Sequence, residues 1–316
     1  MVVVAVAGGT GKVGRTIAEA ILAGKKDEVI ILSRKADPSL EAEIGARILP
    51  VDYFDVNALA QLFEEQNVHT VISTINMASL DGSAPPEVEI IRAAEKSKPT
   101  KRIISSDWGL PHTKEQGPQM KSAENKLIAQ EELKKTNLEW TLFHIGFLLD
   151  FWAGPNIKTY MHPVATFIDI PHRVAAIPGS GDAPVAFTYS QDVARFVAAS
   201  LDLDHWEPAS FAVGDRVTWH EFVKAAEEVT GDKFDVTYDS VEKLNKGEVT
   251  ELPGHVPADA FVPKVVLQQA LSVYALWSAE GAFSLVSERT LNDVFPDIKP
   301  MGVREMLQKA WGNESL

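Results

Sequence analysis

The opening fourteen residues restrict this chain more than any others. An apolar run, Val2-Val3-Val4-Ala5-Val6-Ala7, breaks into Gly8-Gly9-Thr10-Gly11-Lys12-Val13-Gly14. A run apolar at every position suits a strand buried on both faces, as in a parallel sheet. From Lys12 to Ala23, the residues Val13, Ile17, Ala20 and Ile21 recur at helical spacing, so a helix follows at once. Strand, glycine turn and helix in that order make a cradle for the phosphates of a dinucleotide. Gly8 permits the tight turn, Gly11 lets backbone approach a pyrophosphate, and Gly14 lets the helix lie close to the strand. The free N–H groups and partial positive charge of the helix N-terminus complete an anion site. Gly9, Thr10, Lys12 and Val13 fall within the same turn and are expected at the cofactor.

The glycine order is G-x-x-G-x-x-G, which resembles the short-chain dehydrogenase/reductase superfamily, especially its extended and atypical members. The second apolar run, Val29-Ile30-Ile31-Leu32, ends in Ser33-Arg34-Lys35. A cofactor lacking the 2′-phosphate usually meets an acid at this place, which accepts from the ribose hydroxyl. Two bases stand here instead, and a guanidinium forks onto phosphate oxygens, so NADPH is the expected cofactor.

Further apolar runs occur at 46–51, 69–75, 102–106 and 139–145, with helical patterns near 12–23, 55–66, 86–97 and 120–136. This alternation predicts an α/β fold, a doubly wound parallel-sheet Rossmann domain over residues 1–155. Beyond it Pro155, Pro163, Pro171, Pro178 and Pro184 punctuate short segments, and helices are expected near 188–201, 218–230, 239–246, 258–276 and 303–311. Residues 156–316 therefore read as a smaller α/β substrate-binding cap, whose segment of about 186–215 returns to the first domain. Ligands of such sheets sit at the carboxyl ends of the strands. That rule brings in Asp52 for the adenine amine and Thr74, Ile75 and Asn76 for the path toward the nicotinamide. Met77 and the loop 78–86, with Asp81 and Gly82, are expected at the substrate mouth. Asp55 reads as a helix N-cap.

Composition narrows the function. A formal net charge of −14 argues against a nucleic-acid partner. The chain has no cysteine, which excludes disulfides, thiolate metal sites and cysteine nucleophiles. His220-Glu221 lacks the second histidine of a zinc helix, so no metal site is expected. No run is long enough to span a bilayer, and no charged segment precedes the first strand, so a soluble, cytoplasmic protein is expected, as monomer or homodimer.

The segment Lys101-Arg102-Ile103-Ile104-Ser105-Ser106-Asp107-Trp108-Gly109 resembles the K-R-F-x-P-S-E-F-G block of the isoflavone reductase-like and NmrA-like families, which are atypical short-chain reductases. Val71-Ile72-Ser73, the helix Glu87 to Ala94, the stretch Leu133 to Thr141, and Phe211-Ala212-Val213-Gly214-Asp215 with Thr218 and Glu221 are similar to further blocks of these families. The resemblance implies NADPH-dependent reduction of phenylpropanoid-like molecules, and it places the catalytic lysine at Lys126. The tyrosine place of the superfamily's Tyr-x-x-x-Lys pair falls on Ser122, and none of the five tyrosines has a lysine four residues later. Serine is too weak an acid to protonate an alkoxide unaided, so Lys126 either moves the proton or holds the cofactor ribose, with Ser122 orienting a carbonyl or a water. His144, near the end of the sixth run, is a further candidate to face the nicotinamide or the substrate. Trp108, Phe147, Trp152 and Tyr160 are expected to wall an apolar pocket. Three functions stay open on the residues alone: a reductase of a small carbonyl or conjugated, aromatic or polyketide-like metabolite; a non-enzymatic redox sensor that reports to a protein partner; and a non-redox biosynthetic enzyme on the same fold.

Overall fold

The apolar runs become parallel strands because their β-branched side chains find cover on both faces of one sheet. The structure is a computed structural model that describes residues 1–78, 83–255 and 263–312; Asp81, Gly82 and the expected start of a helix at 258–262 lie outside the described residues. Two compact units result. One comprises Met1–His144, Val193–Ala212 and Asp293–Ile298; the other comprises Ile145–Asp192, Val213–Asn292 and the chain from Lys299 onward.

The first unit holds β1 (Val3–Ala7), α1 (Lys12–Gly24), β2 (Glu28–Ser33), α2 (Pro38–Ile44), β3 (Arg47–Pro50), α3 (Val56–Glu65), β4 (Val68–Ser73), α4 (Glu87–Lys96), β5 (Arg102–Gly109), α5 (Lys121–Leu133) and β6 (Glu139–His144). Helix α6 (Ser190–Ser200) comes later in the chain, and among the short strands β7 (Phe147–Leu148), β8 (Ile168–Asp169), β9 (Val174–Pro178), β10 (Val185–Thr188) and β11 (Ala209–Phe211), the last joins the main sheet beside β6. The order is β3-β2-β1-β4-β5-β6-β11, with every pairing parallel. This is the doubly wound Rossmann arrangement, and the strand order reverses between β1 and β4. Ile30, Leu32, Val71 and Ile103 of the strands are fully buried with Phe63, Ile90, Ile91 and Leu133 of the helices. Local chemistry sets the helix ends. Asp37 caps α2 with Pro38 in its first turn, and Asp55 caps α3 by accepting from Asn57 and Ala58 N–H.

In the second unit, β10 lies between β7, parallel to it, and β12 (Asp215–Val217), antiparallel to it. A second small sheet runs β13-β9-β8, where β13 is Asp235–Asp239. Its helices are α7 (Trp219–Thr230), α8 (Val241–Leu244), α9 (Lys264–Ala279) and α11 (Val303–Trp311), with α10 (Leu291–Val294) between the last two. Thr218 and Glu221 close a capping box on α7. The core here is aromatic. Phe147 stacks on Phe283 with centroids 4.0 Å apart, and Trp152, Phe187 and Trp219 meet Phe147 edge-on or stacked within 6.2 Å. Among the described residues no helix is long and apolar enough to cross a membrane, and no group of three or more His, Asp or Glu could hold a metal ion.

Candidate active site

The turn after β1 is built as the glycines predict. Gly8 has φ +74, a conformation that side-chain-bearing residues rarely adopt. Its N–H is shared between Leu32 O, at 3.1 Å, and Tyr53 Oη, at 2.9 Å, while the Tyr53 hydroxyl donates to Leu32 O at 2.6 Å. A Cβ on Gly14 would fall 2.4 Å from Thr74 Oγ1 and 2.5 Å from Gly8 O. Gly14 thus admits the turn itself and the residue after β4, rather than the strand. Gly11 is the N-cap of α1 and gives the first-turn N–H groups no side-chain acceptor, which suits them to an outside anion.

A cavity of about 670 Å³ opens at the carboxyl ends of β1 to β4. Gly8, Thr10, Gly11, Ser33, Arg34 and Asp52 line it, as do Thr74, Ile75 and Asn76. These expected cofactor residues therefore come together. Gly9 is buried beneath the turn, Val13 and exposed Lys12 stand in the first turn of α1, and exposed Lys35 is not part of the wall. The loop expected at the substrate mouth lines this same cavity with Ala78, Ser83, Ala84, Pro85 and Pro86. Val51, Tyr53 and Phe54 are wall residues that escaped the sequence reading. Tyr53 locks the glycine turn to β2, and its burial pushes the phenol up to about 12. Phe54 presents a ring that is 60% exposed. Both lie in the Asp52-Tyr53-Phe54-Asp55 segment after β3, where attention went to the acids. Asp52 itself accepts from Phe54 N–H at 2.9 Å. The glycine cradle, the uncapped helix and the single arginine on the wall fit a dinucleotide.

The polar cluster lies one strand further along the sheet. Ala123, Ala129 and Leu133 seat α5, and Asn125 Nδ2 donates to Met77 O at 3.0 Å. Met77 is thereby a core residue, 4% exposed, rather than an open wall. Lys126 is half-buried, and its ammonium lies 3.4 Å from Asp107 Oδ1 and 3.5 Å from His112 Nε2. Asp107 is 1% exposed, and its other oxygen accepts from Gln130 Nε2 at 2.5 Å. Burial pushes the Asp107 carboxyl up, against the pull of Lys126 and Gln130. Burial first, and then the Lys126 charge, hold His112 down at about 3 and His144 at about 4. His144 ends β6, is 3% exposed, and has no partner for Nδ1 among the described residues. Ser122, one turn before Lys126, is half-buried.

Two hydrogen bonds join β5 to the end of β4 and the residues after it, the second reaching Ile75 on the cavity wall. Trp108 Nε1 donates to Ser73 O at 3.0 Å and Ser106 Oγ to Ile75 O at 2.7 Å. Beneath them Glu87, 1% exposed, accepts from Ser73 Oγ, Ser105 Oγ and Ser106 N–H, while burial raises its carboxyl. Trp108 faces Phe143 with centroids 5.5 Å apart. The other expected wall residues belong to the second unit: Phe147 and Trp152 in its aromatic core, and half-buried Tyr160 under Lys158 Nζ. Asp107 and His112 are the chemistry that the sequence reading passed over. Asp107 was visible only as a letter of the family block, and His112 only as a residue shortly after a strand end.

A sequence model of the NAD(P)H-binding family matches residues 8–204. Oxidoreductase BOA1 of Botryotinia fuckeliana is 34% identical over 303 residues, covering 95% of this chain and 96% of that protein. Oxidoreductase swnN of Metarhizium robertsii is 29% identical over 335 residues, covering 98% of each. Among solved structures, the binary complex of leucoanthocyanidin reductase with NADPH from Vitis vinifera shares the fold. Its TM-score is 0.75 at 16% identity, over 98% of this chain and 99% of that one. Triphenylmethane reductase of Citrobacter sp., complexed with NADP(H), gives a TM-score of 0.71 at 18% identity, over 97% and 99%. The chain therefore belongs to the NAD(P)H-binding family.

Proposed function

We propose that this chain is an NADPH-dependent reductase that reduces a carbonyl or a conjugated double bond of a small, aromatic or polyketide-like metabolite. The observation that carries the reading is the Asp107–Lys126–His112 cluster, whose strand β5 is hydrogen-bonded at Ser106 to Ile75 on the wall of a dinucleotide-sized cavity. When bound, NADPH supplies a hydride. Arg34 grips the 2′-phosphate, the glycine turn and the α1 N-terminus take the diphosphate, and Phe54 offers its exposed ring to the adenine. Lys126 gives the proton that balances the hydride, to the carbonyl oxygen or to the carbon next to it. Asp107 aims the ammonium, His112, neutral and within reach of it, faces it as an acceptor, and solvent returns the proton to Lys126 after each turnover. Ser122 orients the substrate oxygen. His144 keeps the floor of the cluster uncharged.

The relatives named as reductases of leucoanthocyanidin and of triphenylmethane support an aromatic substrate. NADPH oxidation measured against a panel of enones, aryl aldehydes and quinones tests the reading. Turnover of at least one class is expected. Replacing Lys126 with Met should lower kcat by about 10²-fold or more while the NADPH Kd moves far less. Complete inertness, with a protein partner captured only in one oxidation state of the cofactor, would give the sensor reading instead.

A further inference from the structure

Strand β5 leaves its ladders where the proposed proton donor is held. Pairing of β4 with β5 runs from Thr70 and Arg102 to Ile72 and Ile104, and ends there. Pairing of β5 with β6 sets Ser105 against Leu142 and then Gly109 against His144, so Ser106, Asp107 and Trp108 stand opposite Phe143. A bulge of this kind re-aims a side chain and leaves backbone groups without ladder partners. Here it brings Asp107 to Lys126, with Oδ1 3.4 Å from the ammonium. Something other than the sheet must therefore fix the bulge.

Glu87 meets that need. It opens α4 behind Pro86, and Ile90, Ile91, Ala93 and Ala94 seat the helix in the core. Its buried carboxylate turns to the strand ends. One oxygen accepts from Ser105 Oγ at 2.7 Å and from Ser106 N–H at 2.9 Å, and the other accepts from Ser73 Oγ. Ser73 and Ser105 directly follow the last paired residues, Ile72 and Ile104. One carboxylate thus bridges the two strands just past the end of their ladder. The β4 side of the bridge has a second anchor. Ser73 pairs with Ala7 of β1, and Thr74 N–H and Oγ1 donate to Ala7 O at 2.9 and 2.8 Å. Without Glu87, β4 keeps that anchor. The bulge of β5 loses the hold on the backbone N–H beside Asp107.

We infer that Glu87 is a positioning residue for proton delivery: by holding Ser105 and Ser106 to the end of β4, it sets Asp107, and through Asp107 the ammonium of Lys126, at the reach that transfer requires. This role rests on the reductase reading. Buried and outside the cavity wall, the carboxylate acts only through its neighbours. Three donors converge on it, which suits a group whose ionised form only accepts. Glutamine keeps an acceptor for Ser105 Oγ and Ser106 N–H, and its amide can donate to Ser73 Oγ, because a hydroxyl accepts as well as donates. Alanine removes all three bonds.

Kinetics, NADPH titration and amide hydrogen exchange of the full chain test it. In Glu87→Ala, kcat should fall about 10- to 100-fold, while the NADPH Kd and the substrate KM move less than about three-fold. Glu87→Gln should recover most of kcat. In a Lys126→Met background, Glu87→Ala should lower kcat no further, because both changes remove the same proton delivery. Exchange over residues 105–109 should quicken by about ten-fold in Glu87→Ala and stay near the wild-type rate in Glu87→Gln, with β1 unchanged in both. Ser105→Ala removes one of the three bonds and should show the same pattern at smaller size, so the test stands even where Glu87→Ala does not fold. A wild type that turns over no substrate removes the reductase reading, and this role with it. With an active wild type, any of four results overturns this inference alone: kcat kept in Glu87→Ala, NADPH affinity lost as much as kcat, losses that add to those of Lys126→Met, or unchanged exchange over 105–109.

Discussion

His144 and His112 are neutral imidazoles at pH 7, held below their ordinary range by burial and by the Lys126 charge. That has a consequence for stability. For His144 the unfolded chain takes up a proton near 6.5, and the folded chain not until about 4. The unfolded state therefore binds more protons between these values, and stability falls as pH drops through that window. Between pH 7 and pH 5 the loss from this residue is about 2 kcal/mol. Asp107 and Glu87 are shifted the other way, so each loses stability as pH rises above the ordinary carboxylate range. His144→Leu keeps those two and should flatten the acid-side slope in urea denaturation at pH 7 and pH 5. An unchanged slope would remove the buried neutral imidazole from the account. At this scale the sequence showed less than the fold did. Lys126 was singled out only because the resemblance to the family blocks points to that position. His112 and Asp107 were not, because only tertiary structure brings a β5 carboxylate and a loop imidazole to one ammonium.

The elements of the first unit were the most legible part of the chain. Runs that are apolar throughout have one stable use, a covered parallel sheet, and six strands lie where those runs were read. Helix α2 was not anticipated, since seven residues started by Asp37 and Pro38 show little periodicity. Nor was β11, three residues whose identity comes from their pairing with Leu142 to His144. The span 188–201 was read as one helix, yet Thr188 ends β10 and its hydroxyl donates to Ile145 O. Two glycines of α1 give an internal comparison. Gly14→Ala should cost about 1–3 kcal/mol and weaken cofactor binding, because the new Cβ has no room. Gly24→Ala meets nothing within 4 Å and should stabilise by up to about 1 kcal/mol. Thermal denaturation of both variants, with and without NADPH, checks this; equal Tm shifts would contradict it. Tyr53→Phe should cost only about 1 kcal/mol, since Gly8 N–H still donates to Leu32 O. A larger NADPH penalty than stability penalty is expected, because the hydroxyl pins the turn proposed to take the diphosphate.

At the scale of the molecule, a chain with net charge −14 places one arginine on the wall of the cavity at the carboxyl ends of β1 to β4. The chain is an oxidoreductase of the NAD(P)H-binding family, and the strand order explains why its cavity opens where it does: the sheet reverses between β1 and β4. The second unit was less legible than the first, because its short strands and aromatic core follow no period that a single sequence reveals. The central claim is that the cavity holds NADPH through Arg34 rather than any dinucleotide through the turn alone. Fluorescence titration of wild type and Arg34→Ala with NADPH and with NADH tests it most directly. The account predicts saturable binding of NADPH by wild type, about ten- to a hundred-fold tighter than NADH, and near-equal affinities in Arg34→Ala. Equal losses for both coenzymes on replacing Arg34, or no saturable change with either in wild type, would contradict it.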